Sequence, residues 1–304
     1  MASSPSTTHY DPAWDDPLPH DLSPVNYYLS PLKKGQTKAV AIFMHGRDDN
    51  IHDMVGVFLP VLLQRYGGKE GIINDDDHQE EGGESSTDCK VSIIGIEARD
   101  YSWYPASHNA TQDHQVIQND PYQYSALEKI RKTIALACES TSLGLDRILL
   151  IGFSQGANLA NTYLKAGLKN LGETNGKPLI PLPGQILALA GSLFKSTPSF
   201  PVRQYASADH KEQISEQEKR YIDRLVALLP PKEVIDRLLC GTGDRFFSQD
   251  EIKEAASSLV EERDKVKDEI KVQISVGFEP NAPHMITNRM MAATIEAIDL
   301  ILER

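Results

Sequence analysis

Short apolar runs alternate along this chain with longer segments whose apolar residues recur at helical spacing. The short runs are typical of buried strands, and they lie at 39–44, 91–96, 146–151, 186–190, 235–240 and 270–276. Helical periodicity covers 52–66, 122–138, 157–165, 211–229, 249–266 and 285–302. Strands that alternate with helices in this way predict an α/β protein, with a mostly parallel central sheet and helices on both faces.

Three segments fall outside this alternation. Residues 1–30 are rich in Pro, Ser, Asp and Tyr without periodicity, and we expect an irregular N-terminal arm there, followed by a single domain over 31–304. Residues 67–88 carry clustered carboxylates, which predicts a solvated acidic loop. The stretch 195–231 is a candidate cap, because its amphipathic helix at 211–229 either covers the active site or packs on the flank of the sheet.

The composition narrows the class of protein. The chain has 304 residues, of which 40% are hydrophobic, and it contains no apolar run as long as the roughly 20 residues of a membrane-spanning helix, so stable membrane insertion is not expected. The first residues lack the basic and apolar regions of a secretory signal. The three cysteines have no metal-like spacing and are interpreted as reduced thiols, which favours a cytoplasmic location.

The charge balance narrows the class of partner. The chain has 31 basic and 43 acidic residues, a net charge of −12, which argues against binding to nucleic acid or to anionic membranes. A small molecule is therefore the expected ligand. A homodimer is compatible with the sequence, but no feature of the sequence indicates it.

The most specific motif is Gly152-Phe153-Ser154-Gln155-Gly156, which directly follows an apolar run. It is typical of a nucleophile elbow, in which a serine occupies a sharp turn between a strand and a helix. Residues two positions from the serine must be small, because side chains there would collide with the adjoining strand and helix. Gly152 and Gly156 meet this requirement.

A serine hydroxyl becomes a good nucleophile when an imidazole takes its proton and a carboxylate orients that imidazole. In the α/β-hydrolase arrangement these residues follow in the order Ser, Asp or Glu, His. Asp244 follows the strand ending at Cys240, and His284 follows the last strand, at the expected start of the last helix. The alternatives are that Asp244 serves only a turn, that Asp250 or Glu279 is the acid, and that His284 only begins a helix.

Attack by the serine places negative charge on the substrate carbonyl oxygen, and backbone N–H groups are needed to stabilise it. We expect one donor from Gln155, the residue after the nucleophile, and one from the Arg47 backbone in the loop after the first predicted strand. The Arg47 side chain either binds an anionic part of the substrate or pairs with Asp48 or Asp49.

Aromatic residues lie close to these loops in the sequence. Trp103 and Tyr104 either wall an acyl or aryl pocket or fill the core of a loop, and we predict that they bind substrate together with Phe246. His45, in the loop that carries Arg47, is expected to be structural.

Several motifs in order along the chain resemble the phospholipase/carboxylesterase family, which includes acyl-protein thioesterases. They are Met44-His45-Gly46-Arg47-Asp48-Asp49-Asn50, Ser102-Trp103-Tyr104-Pro105, Ile151-Gly152-Phe153-Ser154-Gln155-Gly156-Ala157, Gly241-Thr242-Gly243-Asp244 and Ala282-Pro283-His284. The resemblance implies an α/β-hydrolase fold, ester hydrolysis without a metal or other cofactor, and the same catalytic roles for Ser154, Asp244 and His284. The chain departs from the family in having Asp48 where glycine is usual, and in being longer.

The sequence therefore predicts a carboxylesterase that acts on a small ester through an acyl-enzyme on Ser154. One alternative is an acyl-protein thioesterase or lysophospholipase acting on long acyl chains. A second is a ligand-binding protein that has the hydrolase fold but no turnover.

Overall fold

A computed structural model describes residues 25–73, 89–98, 101–103, 121–173, 180–193, 228 and 231–304 of the chain. These residues contain eight β-strands, which form a single sheet. The strands are β1 (Val25–Leu29), β2 (Ala39–Met44), β3 (Lys69–Ile73), β4 (Val91–Ile96), β5 (Ile148–Phe153), β6 (Gln185–Leu189), β7 (Glu233–Gly241) and β8 (Lys271–Glu279).

The spatial order of the strands is β3-β1-β4-β2-β5-β6-β7-β8. From β4 to β8 all neighbouring strands run parallel. Strand β1 runs in the opposite direction and is antiparallel to both of its neighbours, β3 and β4. The predicted mostly parallel sheet is therefore confirmed.

Five α-helices of the described residues cover the two faces of the sheet. They are α1 (Ile51–Tyr66), α2 (Pro121–Thr141), α3 (Gln155–Glu173), α4 (Gln249–Lys265) and α5 (Asn288–Glu303). Helices α2, α3 and α4 pack on one face. Helices α1 and α5 pack on the other.

The central strands are apolar throughout because both of their faces are covered. Every side chain of β2 is buried, and alternate residues enter opposite cores: Ile42 and Met44 pack with α2 and α3, whereas Ala41 and Phe43 pack with α1 and α5. This is the pattern expected of a parallel strand between two helical layers.

Two strands at one side of the sheet correct the sequence-based boundaries. Residues 25–29 of the expected irregular arm form β1, which pairs with β4. Residues 69–73 of the expected acidic loop form β3, the strand at the edge of the sheet. The sequence of β3 has a weak apolar signal because the strand is largely exposed. Its place in the sheet therefore depends on pairing with β1 rather than on burial.

The last helix also begins later than predicted. Helix α5 starts at Asn288, where the Thr287 hydroxyl accepts a hydrogen bond from the Met290 amide and caps the first turn. His284 therefore lies in the loop before the helix, not at its start. Of the candidate cap at 195–231, which includes the predicted helix at 211–229, the structure describes only residues 228 and 231. Residues 74–88 also lie outside the described residues.

The parallel strands bring their following loops to one edge of the sheet. The loops after β2, β4, β5, β7 and β8 carry the residues around Arg47, Trp103, Ser154, Asp244 and His284. The carboxyl ends of parallel strands meet at the same edge, so residues far apart in the chain are neighbours there.

Cys89, Cys138 and Cys240 are free, buried thiols, as the sequence predicts. Among the helices of the described residues, none has the length and apolar character needed to cross a bilayer.

Asp236 on β7 is a charged residue type inside an apolar core. It is fully buried, and its neighbours in the register are Ile186 and Ile274. Within the described residues, neither carboxylate oxygen accepts a hydrogen bond of normal geometry. Burial raises the pKa of Asp236 to about 8, and the nearby Arg237 backbone N–H offsets this only in part.

A raised pKa means that the folded protein binds a proton that the unfolded chain has released above about pH 4. The contribution of Asp236 to the free energy of unfolding should therefore be largest below about pH 4. It should decline as the pH rises towards about 8. Asp236→Asn keeps the size but removes the titration, so its free energy of unfolding should fall less between pH 5 and pH 8 than that of the wild type. Denaturation in urea at both pH values measures this, and equal declines would contradict it.

Candidate active site

Ser154 occupies a sharp turn between β5 and α3. The strand ends at Phe153 and the helix begins at Gln155, so a single residue makes the change of direction. Ser154 has φ of +53°, in the left-handed region that is unfavourable for residues other than glycine. Its backbone N–H donates to the Leu189 carbonyl at 2.9 Å, which anchors the turn to β6. Ser154 thus has the backbone conformation of the predicted nucleophile elbow.

Two glycines allow this turn to close. A Cβ atom at Gly152 would lie 2.2 Å from the carbonyl oxygen of Gly156. A Cβ atom at Gly156 would lie 2.4 Å from the carbonyl oxygen of Met44, at the end of β2. The start of α3 is thereby in direct contact with both β5 and β2, as the motif requires.

Ser154, His284 and Asp244 form a continuous chain of hydrogen bonds. Nε2 of His284 lies 2.9 Å from Ser154 Oγ, and Nδ1 lies 2.7 Å from Asp244 Oδ2. An ionised carboxylate only accepts, so we assign the imidazole proton to Nδ1, and Nε2 then accepts from the serine hydroxyl. The structure brings together the three residues that the sequence analysis selected.

The Asp244 carboxylate is held in place from several sides. Its Oδ1 atom accepts hydrogen bonds from the backbone N–H groups of Phe246 at 2.8 Å and Phe247 at 3.1 Å. The Cys240 thiol lies 3.5 Å from Oδ2 and donates to it. Burial by itself would raise the pKa of Asp244, but the hydrogen bonds from His284 and the two amides, with the charge interaction with His284, outweigh it and lower the pKa. The carboxylate therefore stays ionised beside the imidazole.

The His284 ring is fixed by packing as well as by hydrogen bonds. The rings of Phe153, Phe246 and Phe247 surround it, with centroid separations of 5.1, 4.9 and 5.7 Å. Phe153 and Phe247 were not selected from the sequence, although Phe153 directly precedes Ser154 and Phe247 directly follows Phe246. Aromatic packing of this kind limits rotation of the imidazole.

The two alternative acids lie elsewhere. Asp250 is exposed, and Lys253 approaches its Oδ1 atom at 3.3 Å. The carboxylate of Glu279 accepts a hydrogen bond from the Thr287 hydroxyl. The acid that contacts His284 is Asp244.

The loop after β2 lies directly against the serine. A Cβ atom at Gly46 would be 3.2 Å from the Cβ atom of Ser154, so the backbone passes close to the nucleophile. Arg47 follows, and its side chain pairs with Asp48, with Nε 3.4 Å from Oδ2. Of the two alternatives for this side chain, the structure contains the pair with Asp48.

Asp48, the residue after Arg47, has a left-handed backbone conformation. Its φ is +56°, a region that glycine adopts most readily and in which aspartate is among the better tolerated other residues. Its backbone N–H donates to the Tyr101 carbonyl at 2.9 Å. The loop therefore keeps a left-handed residue at this position without glycine.

Gln155 is the first residue of α3, so its backbone N–H belongs to the group of amides that point out of the helix N-terminus. Its buried side chain points elsewhere, since Oε1 accepts hydrogen bonds from the Trp103 backbone N–H at 3.1 Å and the Ser102 hydroxyl at 3.3 Å. That the amides of Gln155 and Arg47 bind an oxyanion stays a prediction.

The aromatic residues that the sequence analysis assigned to substrate binding differ in their environments. Phe246 is 40% exposed and touches the His284 ring. Trp103 is only 4% exposed and belongs to the core beneath the loops, where its indole N–H donates to the His45 carbonyl at 2.8 Å. Of the two alternatives for Trp103, this environment fits a side chain that fills the core of a loop. Tyr104 lies outside the described residues.

His45 has the structural environment that was expected of it. It is fully buried; Nδ1 lies 2.6 Å from the Gly46 carbonyl, and the Ala98 backbone N–H donates to Nε2 at 2.9 Å. Glu97 Oε1 lies 3.2 Å from the same Nε2 atom, but we assign Nε2 as the acceptor of the shorter Ala98 bond. Within the described ranges, no group of three or more His, Cys, Asp or Glu side chains is arranged to hold a metal ion.

Comparison with known proteins finds similar folds but no similar sequence. No protein-family model matches the chain, and no curated protein matches it. The phospholipase/carboxylesterase from Dyadobacter fermentans superposes with a TM-score of 0.50 over 91% of this chain and 95% of its own, at 17% identity. The chain has the α/β-hydrolase fold.

Two further structures agree with this. TT1662 from Thermus thermophilus matches with a TM-score of 0.51 at 15% identity, covering 92% of this chain and 94% of its own. The Bacillus cereus carboxylesterase matches with a TM-score of 0.50 at 13% identity, covering 92% and 95%. In an α/β-hydrolase fold, catalytic residues lie on loops at the carboxyl edge of the sheet, which is where Ser154, Asp244 and His284 meet.

The close contact at Gly156 can be tested by adding one methyl group. Gly156→Ala would place a carbon 2.4 Å from the Met44 oxygen and push α3 away from β2, so it should lower the free energy of unfolding by about 1–3 kcal/mol. Denaturation in urea measures the change.

Gly56→Ala is the matched control for this substitution. Gly56 is exposed inside α1, and an added Cβ meets nothing within 4 Å. Alanine there should stabilise the protein by about 0.5–1 kcal/mol. Equal stability of Gly156→Ala and the wild type would contradict the packing argument.

Proposed function

We propose that this protein is a serine hydrolase that cleaves carboxylic esters through an acyl-enzyme on Ser154. The observation that carries the proposal is the hydrogen-bonded chain from Ser154 through His284 to Asp244, placed at a strained turn in front of a helix N-terminus. The α/β-hydrolase fold adds support. So do two structural neighbours, a phospholipase/carboxylesterase and a carboxylesterase.

The first half of the reaction forms the acyl-enzyme. Ser154 Oγ attacks the ester carbonyl carbon while Nε2 of His284 takes the hydroxyl proton. The carbonyl oxygen becomes an oxyanion, for which we propose the backbone N–H groups of Arg47 and Gln155 as donors. When the intermediate collapses, the carbon–oxygen bond to the alcohol breaks and His284 returns the proton to the leaving oxygen.

The second half uses water. His284 takes a proton from a water molecule, whose oxygen attacks the acyl carbon, and the bond to Ser154 Oγ then breaks with return of the proton to the serine. Asp244 stays ionised throughout and stabilises the imidazolium that forms in both halves. The lowered pKa of Asp244 supports this role, because a protonated acid would not stabilise the imidazolium.

Two exposed side chains beside the imidazole, Phe246 and Met285, are the candidates for substrate binding. The Phe246 ring lies at the edge of His284 and remains 40% exposed, and Met285, the next residue after His284, is 52% exposed. We propose that these two side chains contact an apolar acyl or alcohol group of a small ester. Hydrolysis rates over a series of acyl lengths would distinguish short esters from the long acyl chains of a thioesterase or lysophospholipase.

The proposal can be tested directly at Ser154. A fluorophosphonate probe should label the wild type, and peptide mapping should locate the label on Ser154. Ser154→Ala should abolish labelling and lower kcat/KM for p-nitrophenyl esters by about 10⁴-fold or more, with the melting temperature retained. A label on any other residue, or hydrolysis by Ser154→Ala at the wild-type rate, would contradict the proposal.

The choice of acid can be tested with a pair of substitutions. Asp244→Asn keeps the shape but favours the wrong imidazole tautomer, so kcat should fall by about 10⁴-fold. Asp250→Asn changes an exposed aspartate of the same region and should leave kcat unchanged. Steady-state hydrolysis of p-nitrophenyl acetate measures both. Comparable activity of the two variants would count against Asp244.

A further inference from the structure

The proposed oxyanion hole is assembled from two separate parts of the chain. Arg47 lies in the loop after β2, and Gln155 begins α3 after β5. Donors of this kind stabilise the transition state only when both are aimed at one oxygen. Something must therefore hold the two parts at a fixed separation.

The segment Tyr101–Trp103, which follows β4, contacts the loop after β2 on both sides of Arg47. Before Arg47, the indole N–H of Trp103 donates to the His45 carbonyl at 2.8 Å. After Arg47, the backbone N–H of Asp48 donates to the Tyr101 carbonyl at 2.9 Å. These two hydrogen bonds fix the backbone on either side of the proposed donor.

The same segment holds Gln155. The backbone N–H of Trp103 and the hydroxyl of Ser102 both donate to the buried Gln155 Oε1 atom, at 3.1 and 3.3 Å. Trp103 is thus the one residue of the segment that donates to both parts of the proposed hole. Its ring also packs on His45, with a centroid separation of 5.2 Å, which leaves the indole little freedom to move.

The backbone of this region is held in unfavourable conformations. Tyr101 has φ of +58° and Asp48 has φ of +56°, and the two residues are joined by their backbone hydrogen bond. Left-handed residues other than glycine persist where the surroundings determine the conformation, and they cluster at active sites. The segment is therefore shaped by its contacts with the loop after β2.

We propose that Trp103 is a positioning residue that sets the geometry of the oxyanion hole through its indole N–H and backbone N–H groups. This inference rests on the proposed ester hydrolysis. Trp103 does not touch the substrate in this arrangement. Its removal should therefore weaken stabilisation of the transition state while leaving binding of the ground-state ester almost unchanged.

Trp103→Phe tests the inference because it removes the indole N–H and keeps an aromatic ring. The kcat for p-nitrophenyl acetate should fall by about 10- to 100-fold, as expected when reacting groups are misplaced, with KM within about threefold of the wild type. The inhibition constant of an aryl trifluoromethyl ketone, which forms a tetrahedral adduct with serine, should rise in parallel. Trp14→Phe makes the same change at the other tryptophan of the chain and supplies the reference values of all three quantities.

A second measurement removes the N–H without changing the shape of the side chain. In the Trp14→Phe protein, Trp103 is the remaining tryptophan, and it can be replaced during expression by β-(benzothienyl)alanine, which has sulfur where indole has N–H. The kcat of this protein should be at least about threefold lower than that of the Trp14→Phe protein that contains ordinary tryptophan. This test applies even if Trp103→Phe fails to fold.

The outcomes separate this inference from the proposed function. Unchanged kcat in the benzothienyl protein, with wild-type activity intact and abolished by Ser154→Ala, would overturn the role of Trp103 alone. A raised KM at constant kcat would also overturn it, since it would assign Trp103 to ground-state binding. Absence of esterase activity in the wild type would overturn the proposed function and this inference with it.

Discussion

The turn at Ser154 is the constraint on which the rest of the site depends. The chain reverses from β5 into α3 through one left-handed residue, and this is sterically allowed because Gly152 and Gly156 present no side chain to the neighbouring backbone. This close contact between β5 and the start of α3 places the serine at the carboxyl edge of the sheet. It also brings the start of α3 against the end of β2, so the loop that carries Arg47 lies beside the nucleophile.

The parallel sheet supplies the remaining geometry. Strands β7 and β8 are neighbours in parallel register, so the loops that follow them carry Asp244 and His284 to the same place. Hydrogen bonds between the loops, from Gly243 N–H to the Ala282 carbonyl and from Thr242 N–H to the Glu279 carbonyl, hold them together. The imidazole is then held between a carboxylate and three phenyl rings, and its Nε2 atom faces the serine.

Polar groups beneath the site form a second layer of support. His45, Trp103 and the Gln155 side chain are all buried, and each forms a hydrogen bond with the backbone of a neighbouring loop. Buried polar groups that are satisfied in this way favour one arrangement over others, because any shift would leave a donor or acceptor without a partner. Asp236 is the contrasting case, a carboxyl group in an apolar core whose pKa is raised by burial.

The amino-acid sequence by itself determined the central strands, most helices and the fold class, and it selected Ser154, His284 and Asp244 as candidates, with Asp250 and Glu279 as alternative acids. These follow from local patterns: continuous apolar runs, helical periodicity and a glycine-flanked serine. Tertiary structure decided the rest. Strands β1 and β3 depend on pairing with partners distant in the chain, and the choice of Asp244 over Asp250 and Glu279 depends on which carboxylate reaches the imidazole. The burial of Trp103 is likewise a property of three loops packed together, because exposure and hydrogen-bond partners are set by contacts that sequence spacing does not encode.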